Sequence, residues 1–330
     1  MDGREASAHP LTMRVIDGGE LERLTPYPAL IAALRTRLAE PIASPQRLIL
    51  DPTGQGDALL LMPAWREGGL MVVKLVTVYP RNAAAGRPAL DASVAVFDHR
   101  DGSLRAILDG VVLTVRRTAA ASALGAALLA RPDCTTLLVI GTGALAPALA
   151  RAHLAAQPTL ARVLVWGRTR AKAEALAVGL RADRVEASAA ADLDAAIAKA
   201  DTIVAATTAT QPIIRADAVR PGTHLSLVGA FTPAMAEAEP ALMPRARLFA
   251  DDRASILLKG GEVAQAIRAG LIAETAIEAD LAELVRSGPP QRAQSDITVF
   301  KSVGFAALDL IAAELALQED TRLKRTAASG

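Results

Sequence analysis

The sequence predicts an α/β protein in two parts, a parallel sheet wound with helices and a smaller α+β part. Three observations predict it. From residue 135 to about 300, short apolar runs alternate with helical patterns, the signature of βαβ units. The first ~115 residues instead carry several strand-like runs with turn signals between them. An apolar run at 135–140 passes through a glycine-rich turn straight into a helix.

The elements follow in order. Apolar residues at Leu30, Ile31, Leu34 and Leu38 give a helix over 27–38, and a strand-like segment follows at 47–50. Runs at 58–63 and 70–78 read as strands, and the Pro, Asn and Gly content of 80–88 reads as a loop. Strands at 92–97 and 104–108 flank Asp101-Gly102, a dipeptide suited to a hairpin turn. An alanine-rich helix covers 114–131. Strands are then expected at 135–140, 162–166, 202–206, 224–228 and 247–250, with helices at 145–156, 170–182 and 192–200. An amphipathic helix over 303–317 closes the chain and can pack back on the first part, and the polar tail after Gln318 is expected to fray.

Composition removes several classes of function. With 330 residues there is chain for about two domains. Lysine and arginine (36) against aspartate and glutamate (35) leave +1, without the basic footprint of a nucleic-acid binder or a polybasic membrane anchor. Hydrophobic residues at 52% exclude a disordered chain. The longest uncharged stretch, 134–150, is too short to cross a membrane and is broken by Gly141, Gly143 and Pro147. The four histidines have no metal-ligand spacing, so no metal is expected. A single cysteine, Cys134, and a polar start without a secretory segment point to the cytoplasm.

The sharpest local signal is Gly141-Thr142-Gly143-Ala144-Leu145-Ala146. Gly141 permits a tight turn, Gly143 lets backbone approach a pyrophosphate, and Ala146 stands where a third glycine packs helix on strand. The helix that follows offers unpaired N–H groups to phosphate. Strand, turn, helix and second strand in this order predict a Rossmann-type dinucleotide site. The second strand ends in Gly167-Arg168-Thr169, where NAD-preferring sites carry a carboxylate. Arg168 and Thr169 suit a 2′-phosphate, so NADPH is expected, with NADH possible; the alternative is that Arg168 is a solvated surface residue. Thr207 and Thr208 follow one strand, and Gly229 follows Val228 at the end of the next; both places are where open α/β sheets bind ligands, though turn hydroxyls alone would explain the threonines. Arg47, Lys74 and the Arg116-Arg117 pair read by themselves as surface charges, except that Lys74 stands within an apolar strand.

Several of these residues, taken together, resemble the ornithine cyclodeaminase/μ-crystallin family: Lys74, Pro80, Asn82, Gly86 and Pro88; Leu108-Asp109-Gly110; Leu113-Thr114; Arg117-Thr118-Ala119-Ala120; the GTG at 141–143; Trp166-Gly-Arg-Thr; Pro221-Gly222; Val228-Gly229-Ala230; and Phe300-Lys301-Ser302-Val303-Gly304. The resemblance spans about 14–317. It implies a Rossmann domain over 119–302 inserted into a substrate-binding and dimerisation domain made of 1–118 and 303–330, and a homodimer. It also implies that Arg47, Lys74 and Arg117 hold a substrate carboxylate, with Lys74 a candidate proton donor. Cyclodeaminases of the family carry an aspartate two residues after the glycine of the Val228-Gly229-Ala230 motif, for the amino groups of ornithine. This chain has Phe231 there. The resemblance therefore implies a NAD(P)H-dependent reductase of cyclic imino acids, Δ1-pyrroline-2-carboxylate or Δ1-piperideine-2-carboxylate. The alternatives are an ornithine cyclodeaminase rescued by another acid such as Asp57, an open-chain imino acid reductase resembling alanine dehydrogenases, and a non-catalytic NADPH-binding protein.

Overall fold

The computed structural model describes residues 13–329; the polar start of the chain lies outside the described residues. Two sheets organise the molecule. The first contains β1 (Arg14–Ile16), β2 (Leu48–Leu50), β3 (Ala58–Trp65), β4 (Leu70–Val78), β5 (Leu90–Asp98) and β6 (Leu104–Asp109) in the order β1-β6-β5-β4-β3-β2. Its pairs are antiparallel except β1 with β6, which is parallel. Strict alternation gives it one packed face, with Val72, Lys74 and Val76 of β4 and Val94 and Val96 of β5 inward. Residues 80–85, expected as loop, form a short 3-10 turn.

The second sheet is wholly parallel. It contains β7 (Thr136–Ile140), β8 (Arg162–Trp166), β9 (Glu186–Ala189), β10 (Thr202–Ala205), β11 (His224–Leu227), β12 (Ala246–Ala250), β13 (Ile277–Asp280) and β14 (Ile297–Lys301), ordered β13-β12-β14-β11-β10-β7-β8-β9. β7, β10, β11 and β14 are buried at every position, as strands covered on both faces must be. The strand order reverses between β7 and β10, and such a switch point opens a crevice at the strands' carboxyl ends.

Helices fill the layers: α1 (Gly18–Leu24), α2 (Tyr27–Arg37), α3 (Gly110–Leu129), α4 (Ala146–Ala156), α5 (Arg170–Ala182), α6 (Leu193–Ile197), α7 (Arg253–Lys259), α8 (Gly261–Arg268), α9 (Leu281–Ser287) and α10 (Ala306–Ser329). α3 begins four residues earlier than its alanine-rich run suggests, because Asp109 caps it by accepting from the Val112 N–H at 2.9 Å. Arg116 and Arg117 therefore lie within the helix. By length and composition α3 could cross a membrane, yet it is a core helix, packed on α2, α4, β5, β11 and β14. The tail expected to fray is instead the second half of α10, which runs on to Ser329; near Gln318, Lys324 pairs with Asp320, which also meets Arg14. α10 packs on α2, α3, β3 and β4, so the last helix returns to the first sheet.

Candidate active site

A groove of about 490 Å³ opens at the carboxyl ends of β7, β8 and β10. Seven of the residues expected to bind the dinucleotide line it: Gly141, Thr142, Gly143, Arg168, Thr169, Thr207 and Thr208. Gly141 has φ +117°, and a Cβ there would lie 2.5 Å from the Ala206 carbonyl oxygen, so only glycine closes the turn against β10. A Cβ on Gly143 would meet nothing within 4 Å, which leaves room for a pyrophosphate. Leu145 takes the N-cap position of α4, and no side chain caps that helix. The Ala146 N–H donates to the Gly143 carbonyl at 3.0 Å and Pro147 has no N–H, so the start of α4 offers a ligand fewer N–H groups than the sequence suggests. The residues fit a dinucleotide.

Thr169 stands at the N-cap of α5, and its hydroxyl caps nothing there. It lies beside the exposed Arg168. Lys172 joins them in the groove wall, a cation that the sequence reading missed. The signal was available, since Lys172 follows Thr169 by three residues on a helix and so shares its face. Ala144, Leu145, Val228 and Gly229 do not line the groove. The first two lie in the turn into α4. Val228 and Gly229 follow β11, and the Gly229 N–H donates at 2.7 Å to Glu237, whose other oxygen accepts from the Thr207 N–H at 2.6 Å.

The three expected substrate-binding cations converge. Lys74 is 1% exposed and reaches from the packed face of β4 to α10, where its Nζ lies 2.9 Å from the Asp309 carboxylate, and it also donates to the Thr114 hydroxyl at 3.2 Å. Arg117, from α3, donates from Nε to Asp309 at 2.9 Å. Arg47 donates to the carbonyls of Val303 and Gly304, just beyond β14. Gly304 has φ +74°, and a Cβ there would lie 2.4 Å from Arg117 Nη1, so the guanidinium packs directly on the backbone. The loop that meets both arginines is itself held by Asp251, which accepts from the Ser302 hydroxyl and the N–H groups of Val303 and Gly304 at 2.8, 3.0 and 2.6 Å.

Burial lowers the Lys74 ammonium to about 8, with Arg117 adding to the shift and Asp309 opposing it. Burial, then the neighbouring Arg117, lowers Arg47. Burial opposes ionisation of Asp309, yet Arg117 and Lys74 outweigh it and hold the carboxyl below its usual range. A fully buried carboxylate, Asp309, therefore sits among the three cations. Its signal was a lone acid in the apolar run around Leu308, Leu310 and Ile311. Lys259, at the end of α7, is a further cation near the cluster, lowered to about 8 by burial and by Arg47.

Asp57 is not part of this cluster. It is buried between Arg81 and the Thr53 hydroxyl, at 2.7 and 2.8 Å. It also lies five residues before Met62, the partner of Lys74 across β3 and β4, hence about 17 Å along the strand. Phe231 lies on the loop after β11 and is 51% exposed, so its ring stands at the surface rather than filling a closed pocket.

The cluster lies beyond the carboxyl ends of β12 and β14, the same edge of the parallel sheet that carries the groove. The profile of the Ornithine cyclodeaminase/mu-crystallin family matches residues 18–322. The chain is 43% identical over 285 residues to a Delta(1)-pyrroline-2-carboxylate reductase of Paracoccus denitrificans, covering 86% of this chain and 89% of that protein. It is 35% identical to the ketimine reductase mu-crystallin of Mus musculus, over 87% of this chain and 90% of that one. Among solved structures it resembles the Delta(1)-pyrroline-2-carboxylate reductase of Thermococcus litoralis in complex with NADH and L-proline. There the TM-score is 0.89 at 27% identity, covering 94% of this chain and 98% of that one.

Proposed function

The chain belongs to the ornithine cyclodeaminase/mu-crystallin family, and from that premise we propose that it reduces the C=N bond of cyclic 2-imino carboxylates with a nicotinamide dinucleotide. Δ1-Pyrroline-2-carboxylate would give proline, and Δ1-piperideine-2-carboxylate would give pipecolate. The observation that carries the choice of imine over diamine is that the acids around the cation cluster are all engaged. Asp309 holds Lys74 and Arg117, Asp251 holds the 302–304 loop, and Asp252 caps α7 through the Ser255 N–H. The distal ammonium of ornithine would have to compete with these partners, and its burial without one costs several kcal/mol. A cyclic imine brings only its carboxylate as a fixed negative charge, which Arg47 and Arg117 can hold.

The bound nicotinamide supplies the hydride. Lys74, protonated below about pH 8, is the proton donor that makes the imine carbon electrophilic, and Thr114 and Asp309 aim its ammonium. We propose NADPH as the preferred cofactor, on the pairing of Arg168, Thr169 and Lys172 with a 2′-phosphate. We also propose a homodimer. The face of the first sheet opposite the helices is apolar: Leu48, Leu61 and Leu75 are register partners, as are Leu50 and Leu59, and Leu48, Leu50 and Leu75 are exposed.

The test is NADPH oxidation with the five- and six-membered ring imines, beside ammonia release from ornithine with NAD. Turnover of a cyclic imine without ammonia release, falling as pH rises through about 8, is the expected result. Ammonia and proline from ornithine would overturn the proposal.

A further inference from the structure

Behind the groove lies a group of charges that the mechanism above does not use. Glu237 and Glu262 are both 0% exposed, and Lys301 is 1% exposed. Lys301, the last residue of β14, donates to Glu262 Oε1 at 3.0 Å. Glu262 Oε2 is buried with no hydrogen-bond partner among the described residues. Glu237 accepts from the N–H groups of Thr207 and Gly229, which follow the adjacent strands β10 and β11. Its backbone carbonyl also takes the N–H groups of Ile213 and Ile214, so this one residue ties both ends of the 207–214 loop. The junction of α7 and α8 that carries Glu262 packs on Ala230, one residue beyond Gly229.

Two carboxylates against one ammonium leave one negative charge in the protein interior. An isolated buried charge is costly and calls for a complement. A dinucleotide held at the 141–145 turn and at Arg168 would place its nicotinamide on the other side of the switch point, toward β10 and β11. Thr207 lines the groove there, and Glu237 lies one hydrogen bond behind it. The nicotinamide ring is positively charged when oxidised and neutral when reduced.

We infer that Glu237, Glu262 and Lys301 form a buried anionic triad that stabilises the oxidised nicotinamide relative to the reduced one, and so stabilises the charge that develops on the ring as hydride leaves. Burial pushes the Glu237 carboxyl up, Lys301 pulls it back and Glu262 pushes it further, as expected of three charges acting on one another. Glu237 is in addition a positioning residue, acting on the groove through Thr207 and Gly229. The inference rests on the dinucleotide reading of the groove.

The test is fluorescence titration of NADP+ and NADPH against the wild-type protein, Glu262→Gln and Glu262→Asp. Glu262→Gln removes the uncompensated charge. It is expected to weaken NADP+ about tenfold while NADPH changes less than about twofold. Tenfold corresponds to a shift of about 30 mV in the potential of the bound two-electron couple. Glu262→Asp keeps the charge and the wild-type ratio. If Glu262→Gln does not fold, Glu237→Gln reads the same ratio on top of a weakening of both forms. Equal effects on the two forms, or none, overturn the triad's role. Failure of the wild-type protein to bind either form overturns instead the dinucleotide reading beneath it.

Discussion

The groove and the cation cluster sit at the same edge of the parallel sheet and are built in opposite ways. The groove is mainly backbone: one turn between β7 and α4, and glycines where a Cβ has no place. The cluster is mainly side chain: Arg47, Lys74, Arg117 and Asp309 come from a loop, a strand and two helices spread along the chain. A backbone site depends on local conformation and tolerates change in most side chains. A side-chain site of buried charges depends on every member being present, because each is neutralised by the others. The two halves should therefore fail differently.

The largest effect is expected at Asp309. Replacing it with Asn leaves Lys74 and Arg117 buried without their counter-charge, and breaking a buried pair from one side costs about 3–5 kcal/mol. Denaturant unfolding of Asp309→Asn beside wild type measures this directly. A loss below about 1 kcal/mol would show that water or rearrangement screens the cluster, and would break the contrast with the groove.

The same contrast explains what could be read from the sequence. The groove was legible because its determinants are contiguous: a strand, Gly141-Thr142-Gly143 and a helix within about 20 residues, each demanded by a local backbone requirement. The parallel sheet was legible through its alternating pattern, and β8 and α5 fall where their periodicity puts them. The cluster was legible only by resemblance, since no spacing links residue 47 to 309, and Asp309 and Asp251 went unnoticed. Each of those acids is buried for a reason that lies on another element. The end of α10 was misread because its polar residues suggested solvent, whereas the helix docks on the first sheet and continues beyond it.

A second and smaller effect belongs to the groove. Arg168→Ala is expected to weaken NADPH by roughly tenfold and to leave NADH nearly unchanged. That figure takes the low end of a charge-assisted hydrogen bond, because Arg168 is exposed and screened by solvent. Adding Lys172→Ala should weaken NADPH further, and both losses should shrink as salt rises. Titration of both cofactors at two ionic strengths reads the outcome. Equal losses for the two cofactors would mean that neither side chain meets a 2′-phosphate.

A third effect, absent at neutral pH, sharpens the comparison from within the parallel-sheet half, which has a buried polar network of its own. His224 on β11 lies 2.9 Å from the Thr298 hydroxyl and 3.1 Å from the Ser226 hydroxyl, and His153 on α4 meets the Leu149 carbonyl at 2.8 Å. Both rings are fully buried, and among the described residues no carboxylate bonds either of them. Burial lowers His153 to about 4 and His224 well below its usual value, His153 adding to the second shift. A base lowered in the folded state is protonated first in the unfolded chain. The stability it gives is complete above about pH 6.5 and is lost as pH falls toward 4, by ~1.4 kcal/mol per pH unit for each histidine. Glu237 and Asp251, pushed up by burial, act with the opposite sign as pH rises above about 4, because the folded state then holds protons that the unfolded chain has released. The histidine contribution is therefore isolated by difference: His153→Gln should flatten the stability curve between pH 6.5 and 4 by about one proton relative to wild type, whatever the acids contribute. An unchanged slope would mean that His153 reaches solvent before the fold gives way, and that this half of the molecule opens locally where the cation cluster does not.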